Sequence, residues 1–396
     1  MAQSSAEQMR AWQGPALLSF GFRPFFLFGA VWVVMAMLMW ILALTSAVDL
    51  PTHFDPVSWH AHEFLFGYLG AVLAGFLLTA VPNWTGRLPM VGWKLAALFA
   101  LWCAGRIAIL TSAFLPVVVA AGIDLAFPVV LGALILQEIV AGKNWRNLIV
   151  LALLAVFTTA NLIFHIEASN GLYAAEGYGL RLGLATTIMM IGVIGGRIIP
   201  SFTRNWLARN NDPARPAPPM QRFDKITLAA SIIILALWVV MPFHSLTGGA
   251  LILFGVLHVA RLIRWQGHRT LHEPLVWVLH VAYAFIPLGA LVMGADTLLS
   301  GSSQIAAQHI WMAGAIGAMT LAVMTRATLG HTGQALLANR ATLAVYLCLF
   351  ASVAARWLSA TMPEFTTISG LLWIAAFGGF AVAYGPALLR AKAGKA

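Results

Sequence analysis

Trp59-His60-Ala61-His62-Glu63 places two imidazoles and a carboxylate at the start of an apolar run that reaches Val81. Groups of these types ligate metals and carry protons, and at the mouth of a membrane helix they are costly unless paired, ligated or hydrated. Helical spacing divides them. His60 and Glu63 are three residues apart and share a face, whereas His62 points well away from His60. Chelation of one ion by both imidazoles from a single face is therefore disfavoured. The spacing suits two neighbouring sites, or one metal ligand beside a group that supports it or handles its proton. His60 and His62 are thus candidate metal ligands, and His62 with Glu63 the candidate catalytic pair. A hydrated helix mouth with hydrogen-bonded histidines is the plainer alternative.

Other histidines extend the pattern. His165 lies near the outward end of the fifth apolar run. His309 lies about four residues, or roughly 6 Å, into the tenth. Both fall at a level similar to His60 and His62, and they complete the candidate metal set. His258 and His280 form a second layer, each about 10 Å from the opposite end of adjacent antiparallel runs. Across a suitable gap they would ligate a non-covalent haem b, one imidazole on each iron face. Hydrogen bonding between helices is the alternative for that pair. Arg197 and Arg326 end the sixth and tenth runs, where the helix dipole and membrane orientation favour a cation. In a functional variant they hold haem propionates or another anion. Histidine accepts copper, zinc and haem iron alike, so spacing leaves the metal open. Arg106, Asp124, Asn161 and Arg356 lie inside apolar runs; each needs a polar partner and is a candidate for an internal network or proton route.

These residues must be positioned by membrane helices. The chain has 396 residues, 61% hydrophobic and only 9% charged, against about 25% charged in an ordinary soluble domain. Apolar windows of about 20 residues predict twelve spans, at roughly 24–45, 60–81, 93–112, 114–137, 148–166, 180–200, 224–242, 247–265, 274–294, 305–325, 341–359 and 367–388. The expected fold is an all-α polytopic transmembrane bundle forming a single integral membrane domain. Its possible halves, 1–203 and 224–396, are joined by a basic, proline-rich cytoplasmic loop at 204–223.

Arg and Lys collect in alternate connections, from Arg87 and Lys94 through Lys143, Arg146, Arg215 and Arg269 to Lys392 and Lys395. The opposite connections hold Asp49, Asp55, Glu167, Glu176, Asp296 and Glu364, with Arg181 as a basic exception. That bias puts both termini in the cytoplasm and the WHAHE stretch at the outer face. The polar stretch before the first run reads as a cytosolic tail. The formal net charge of +10 is spread over the loops and serves orientation, not a nucleic-acid surface. Two cysteines, Cys103 and Cys348, sit in apolar runs, with no spacing for covalent haem or an iron–sulfur cluster.

Several motifs together resemble the NnrS family of bacterial membrane proteins: FGFRPFF at 20–26, WHAHEFLFG at 59–67, AGFLLTAVPNWTGR at 74–87, GGRIIPSFT at 195–203 and MTLAVMTRATLGHTG at 319–333. They run in order from the first span to the tenth. The resemblance implies an inner-membrane protein carrying haem and copper, acting in nitric oxide metabolism or resistance to nitrosative stress. The family pattern falls on His60, His62, Glu63, Arg87, Arg197, Arg326 and His331. Within it, His331 gains weight as a residue able to reach back towards the inner histidine layer and help hold a cofactor.

The expected partners are membrane lipid, nitric oxide as ligand or substrate, and, since no NAD-binding motif is present, a quinol or redox-protein electron donor. A redox enzyme acting on nitric oxide leads the readings. A non-catalytic haem–copper sensor, buffer or electron relay comes next, and a transporter last.

Overall fold

A computed structural model describes residues 12–87, 89–301 and 304–391. Residues 1–11, with the expected tail, and Lys392 and Lys395 lie outside them. The described residues contain 12 helices long and apolar enough to cross a membrane. In chain order these are α1 Phe22–Leu44, α2 Pro56–Thr85, α3 Trp93–Leu110, α4 Val117–Ala141, α5 Trp145–Ser169, α6 Tyr178–Arg209, α7 Arg222–Val240, α8 Ser245–Ile263, α9 Pro274–Leu298, α10 Gln304–Thr332, α11 Arg340–Leu358 and α12 Phe365–Leu389. Helix is the natural solution for such sequences, because lipid offers the backbone no hydrogen-bonding partner. Exposed Val118, Val129 and Leu136 on α4 form the kind of surface that lipid covers.

Local chemistry sets the ends. Asp55 caps α2 by accepting from the backbone N–H groups of Val57 and Ser58, and Pro56 occupies the first helical position. Gly86 closes α2 in the left-handed region at φ 70°. Glu167, at the end of α5, takes the N–H groups of Tyr178 and Gly179 and so caps α6. The short link between the third and fourth runs folds as a single 3-10 turn, Ser112–Phe114.

Three helices outrun their apolar windows by the most. α2 starts four residues earlier than the 60–81 window, α6 continues to Arg209, and α10 continues to Thr332. His331, expected in a loop, therefore sits in the last turn of α10. Hydropathy marks where lipid is met, whereas the helix continues for as long as its backbone bonds can be made. Each of these three helices also contains a π-helical stretch: Glu63–Tyr68 in α2, Ile191–Gly195 in α6 and Ile310–Gly317 in α10.

The chain divides into two compact units, with boundaries inside α6, α10 and α12. The first takes the residues up to Gly183 together with 327–334 and those from Phe380 onward; the second takes Leu184–Arg326 and Ala335–Gly379. In the first unit, α1 and α4 both pack on α2, and α3 and α5 both pack on α4. Arg23, set among the aromatics of FGFRPFF, is not a surface residue. It is 2% exposed and donates to the carbonyls of Leu388 and Arg390, 2.9 and 2.8 Å away. It thereby satisfies acceptors that the end of α12 leaves open. In the second unit, α8 packs along α9 and against α7, and α9 packs against the π-helical part of α10.

Candidate metal centre

Five helices of the first unit each send polar side chains to one buried point. α2 contributes His62 and Glu63, α3 Arg106, α4 Asp124, α5 Asn161 and His165, and α1 the indole N–H of Trp32. His62 and Glu63 are fully buried, and Asp124 and Asn161 are 2% exposed. Burial of so many polar atoms is tolerable only because they satisfy one another.

Asp124 is the hub. Its Oδ2 accepts from Asn161 Nδ2 at 2.7 Å and from His165 Nε2 at 3.1 Å, and lies 3.3 Å from His62 Nε2. Its Oδ1 pairs with Arg106 Nη2. The other guanidinium nitrogen, Nη1, donates to Glu63 Oε1 at 2.6 Å, and Trp32 Nε1 donates to Glu63 Oε2 at 2.6 Å. His62 Nδ1 stands 3.0 Å from Glu63 Oε1, and its Nε2 lies 3.1 Å from Asn161 Oδ1. Because the Asn161 amide nitrogen is committed to Asp124, only its carbonyl faces His62. Both nitrogens of His62 therefore face oxygen atoms, and a metal at Nε2 would take the place of any proton carried there.

The π-helical stretch opens at Glu63, where α2 brings the adjacent His62 and Glu63 into one cluster. His60, which shares a regular-helix face with Glu63, does not join this cluster. His60 instead stacks on Trp40, with ring centroids 4.3 Å apart, and packs on Phe64. Gly67, one turn on, leaves room for the guanidinium, since a Cβ there would press on Arg106 and on Glu63 Oε2. Phe54 stacks on His62 at 5.4 Å, and Phe66 and Phe164 close other sides of the ring. A cavity of about 10 Å³ adjoins Arg106, Asp124 and Asn161 and is walled by Phe66, Phe127 and Phe157. It has room for about one water molecule.

His62, Asp124 and His165 each offer a ligand atom, and these atoms lie within 4.8 Å of one another. Two imidazoles and a carboxylate form a donor set able to coordinate a metal ion, and one suited to divalent copper, zinc or iron. Asp124 is absent from the ligand set expected from histidines alone. The available signal was its position as a carboxylate inside an apolar run. Trp32 carries no such signal, because an indole in a membrane helix is ordinary packing.

The remaining candidates stand elsewhere. His331 belongs to the first unit and stacks on Phe20 and Phe22, at 5.3 and 5.5 Å. His309 belongs to the second unit, where its Nδ1 lies 2.7 Å from the Ile305 carbonyl. Arg197 is half-buried on α6. Arg326 lies over the Phe202 ring, 4.1 Å from its centroid. Arg356 donates to Ser359 Oγ at 2.5 Å.

His258 Nδ1 is 2.8 Å from the Tyr283 hydroxyl and its Nε2 is 2.9 Å from Ser231 Oγ. His280 Nε2 is 2.8 Å from Thr203 Oγ1, and Gly267 packs on the other side of that ring. In this arrangement His258 offers neither nitrogen to an iron, and Gly267 backs onto His280 Nδ1. The residues around this pair do not fit a haem b as packed.

An all-α membrane protein with a buried His/His/Asp cluster is the class that this fold and site define. The family model described as NnrS protein matches residues 16–392, so the chain belongs to the NnrS family. It is a polytopic membrane protein, consistent with placement in a bacterial inner membrane. A comparison with curated proteins found no match.

Proposed function

We propose that the protein acts in nitric oxide metabolism or in protection from nitrosative stress, through one copper ion held by His62, His165 and Asp124. The observation that carries this reading is the convergence of those three buried ligand atoms, with aromatic rings packed around His62. The set lacks the thiolate and thioether donors that favour copper(I), and suits the divalent ion. When bound, such an ion supplies an electrophilic, one-electron redox position at which a small ligand such as nitric oxide is held.

The chain's own residues prepare that position. Arg106 offsets the two buried carboxylates and fixes the angle of each. Asn161 pins Asp124 Oδ2 on the side facing the histidines. Glu63 receives the Nδ1–H of His62, which turns Nε2 towards Asp124 and strengthens the ring as a ligand. His62 and Glu63 together keep a proton beside the pocket, and the Phe54, Phe66 and Phe164 rings exclude water. Electrons enter from a quinol or a redox protein. The basic loops and both termini face the cytoplasm, and this cluster lies towards the outer face.

Metal analysis of the purified protein tests the site. One copper per chain is expected, lost in His165→Ala and Asp124→Asn and kept in His309→Ala. Equal copper content in all of these proteins overturns the assignment. Nitric oxide consumption, followed with an electrode in the presence of a quinol, tests the chemistry. Copper and ligand binding without net consumption would select the sensor, buffer or relay reading over the enzyme.

A further inference from the structure

The second unit holds a buried polar chain that the metal reading does not use. Asp224 on α7, Arg261 and His258 on α8, and Tyr283 on α9 are all at most 2% exposed. Arg261 Nε donates to Asp224 Oδ1 at 2.7 Å, and its Nη1 donates to the Gly192 carbonyl at 2.8 Å and to the Tyr283 oxygen at 2.9 Å. That carbonyl belongs to the π-helical stretch of α6, where the regular backbone ladder is interrupted.

The direction of the chain follows from which groups can donate. A guanidinium only donates, so the Tyr283 oxygen accepts from Arg261 and its own O–H is left for His258 Nδ1, 2.8 Å away. At the far end Ser231 Oγ donates to the Thr227 carbonyl at 2.7 Å. Its oxygen therefore accepts from His258 Nε2, 2.9 Å away. His258 thus carries its proton on Nε2 and presents a bare Nδ1 to a phenol. Arg261 cannot take a proton and Ser231 already has one to place. The phenolic proton has a single destination, the imidazole.

Aromatic rings continue the contact on both sides. Trp265, just beyond the end of α8, meets Tyr283 edge-on with centroids 4.6 Å apart. Phe254 stacks on His258 at 4.2 Å, Trp311 lies 6.1 Å beyond Phe254, and Trp238 lies 5.2 Å from Trp311. Aromatic rings, the readily oxidised Trp265, Trp311 and Trp238 among them, thus lie on both sides of the Tyr283–His258 pair.

We propose that Tyr283 and His258 form a redox-active pair that relays single electrons through this unit to a one-electron oxidant such as an oxidised metal centre. In the forward step Tyr283 gives one electron to the oxidant, which is reduced. The phenolic O–H bond breaks as an N–H bond forms at His258 Nδ1. The products are a neutral tyrosyl and an imidazolium whose two N–H groups still face Tyr283 and Ser231. Return of one electron sends the proton back. The proton stays within the pair during the step, because both side chains are buried and each neighbouring group is already hydrogen-bonded, and Asp224 offsets the charge of Arg261 beside it.

The test uses the full-length protein in lipid nanodiscs with a photogenerated ruthenium(III) complex as oxidant, followed by electron paramagnetic resonance of frozen samples. A neutral tyrosyl signal is expected in the wild type and is lost in Tyr283→Phe, although five of the six tyrosines remain. His258→Gln keeps Tyr283 but removes the basic nitrogen, so the signal is again lost. Thermal melting shows whether each variant is folded. If His258→Gln does not fold, decay of the wild-type signal in D2O replaces it, and a slower decay than in H2O is expected. A signal of unchanged yield in Tyr283→Phe overturns the proposal. So does an unchanged yield in folded His258→Gln, or, in the replacement experiment, the same decay in both solvents. In those cases the chain is a packing device only.

Discussion

Arg106 on α3 donates to Glu63 on α2 over 2.6 Å, with both side chains buried and a second carboxylate, Asp124, on the same guanidinium. One cation thereby holds two acidic residues from different helices in a place where neither could stand alone.

Removing that cation leaves both carboxylates uncompensated. Arg106→Met is expected to destabilise the protein by about 3–5 kcal/mol, the usual cost of breaking a buried pair from one side. The measurement is thermal unfolding in detergent. Arg106→Met combined with Glu63→Gln should recover part of the loss. A single variant that melts like the wild type would show that the pair carries no such strain.

Gly67 is the steric counterpart. A Cβ at this position meets Arg106 and Glu63 Oε2, with Phe66 and Tyr68 buried on either side. Gly67→Ala is therefore expected to cost roughly 1–3 kcal/mol through overpacking and to lower metal content with it. Gly122→Ala on α4, where a Cβ meets nothing within 4 Å, is the control and should change neither.

Glu63 touches His62 without belonging to the ligand set. Glu63→Gln should weaken metal affinity by roughly 10–100-fold while leaving the three ligands in place. A competition titration against a chelator measures this. Affinity equal to the wild type would remove Glu63 from the support of His62.

Arg23 makes a prediction remote from the site. Its bonds to the Leu388 and Arg390 carbonyls are charge-assisted and worth about 1.5–3 kcal/mol. Arg23→Ala should accelerate hydrogen exchange in the last turn of α12 and leave metal content unchanged. Unchanged exchange there would show that other groups hold the helix end.

Membrane orientation is tested by labelling single cysteines in a chain lacking Cys103 and Cys348. A cysteine at Gln221 is expected to react only from the cytoplasmic side, and one at Ser46 only from the outer side. The opposite pattern would invert the proposed topology.

The twelve helices and the membrane as their solvent were legible in the sequence, because lipid demands long apolar runs and composition records them directly. Asp55-Pro56 as the start of α2 was legible for a similar reason, since a cap and a first-turn proline act within a few residues. Arg106, Asp124 and Asn161 also announced themselves as residues in need of partners, for a charge or amide in an apolar run must be satisfied somewhere. Which partners they take was decided by packing. Asp124 and His62 are 62 positions apart in a chain where every span has the same period and nearly the same composition, so nothing local orders the helices around each other.

The WHAHE stretch shows the division most sharply. Its residue types marked it as a place for chemistry, and its spacing set His60 and His62 apart, but left open which imidazole sits at a metal. The π-helical stretch that opens at Glu63, and the five helices closing there, hold His62 beside Glu63 in the buried cluster and leave His60 against Trp40. A helix departs from its ordinary winding only where tertiary contacts compensate, and contacts of that kind are written in no single segment of the chain.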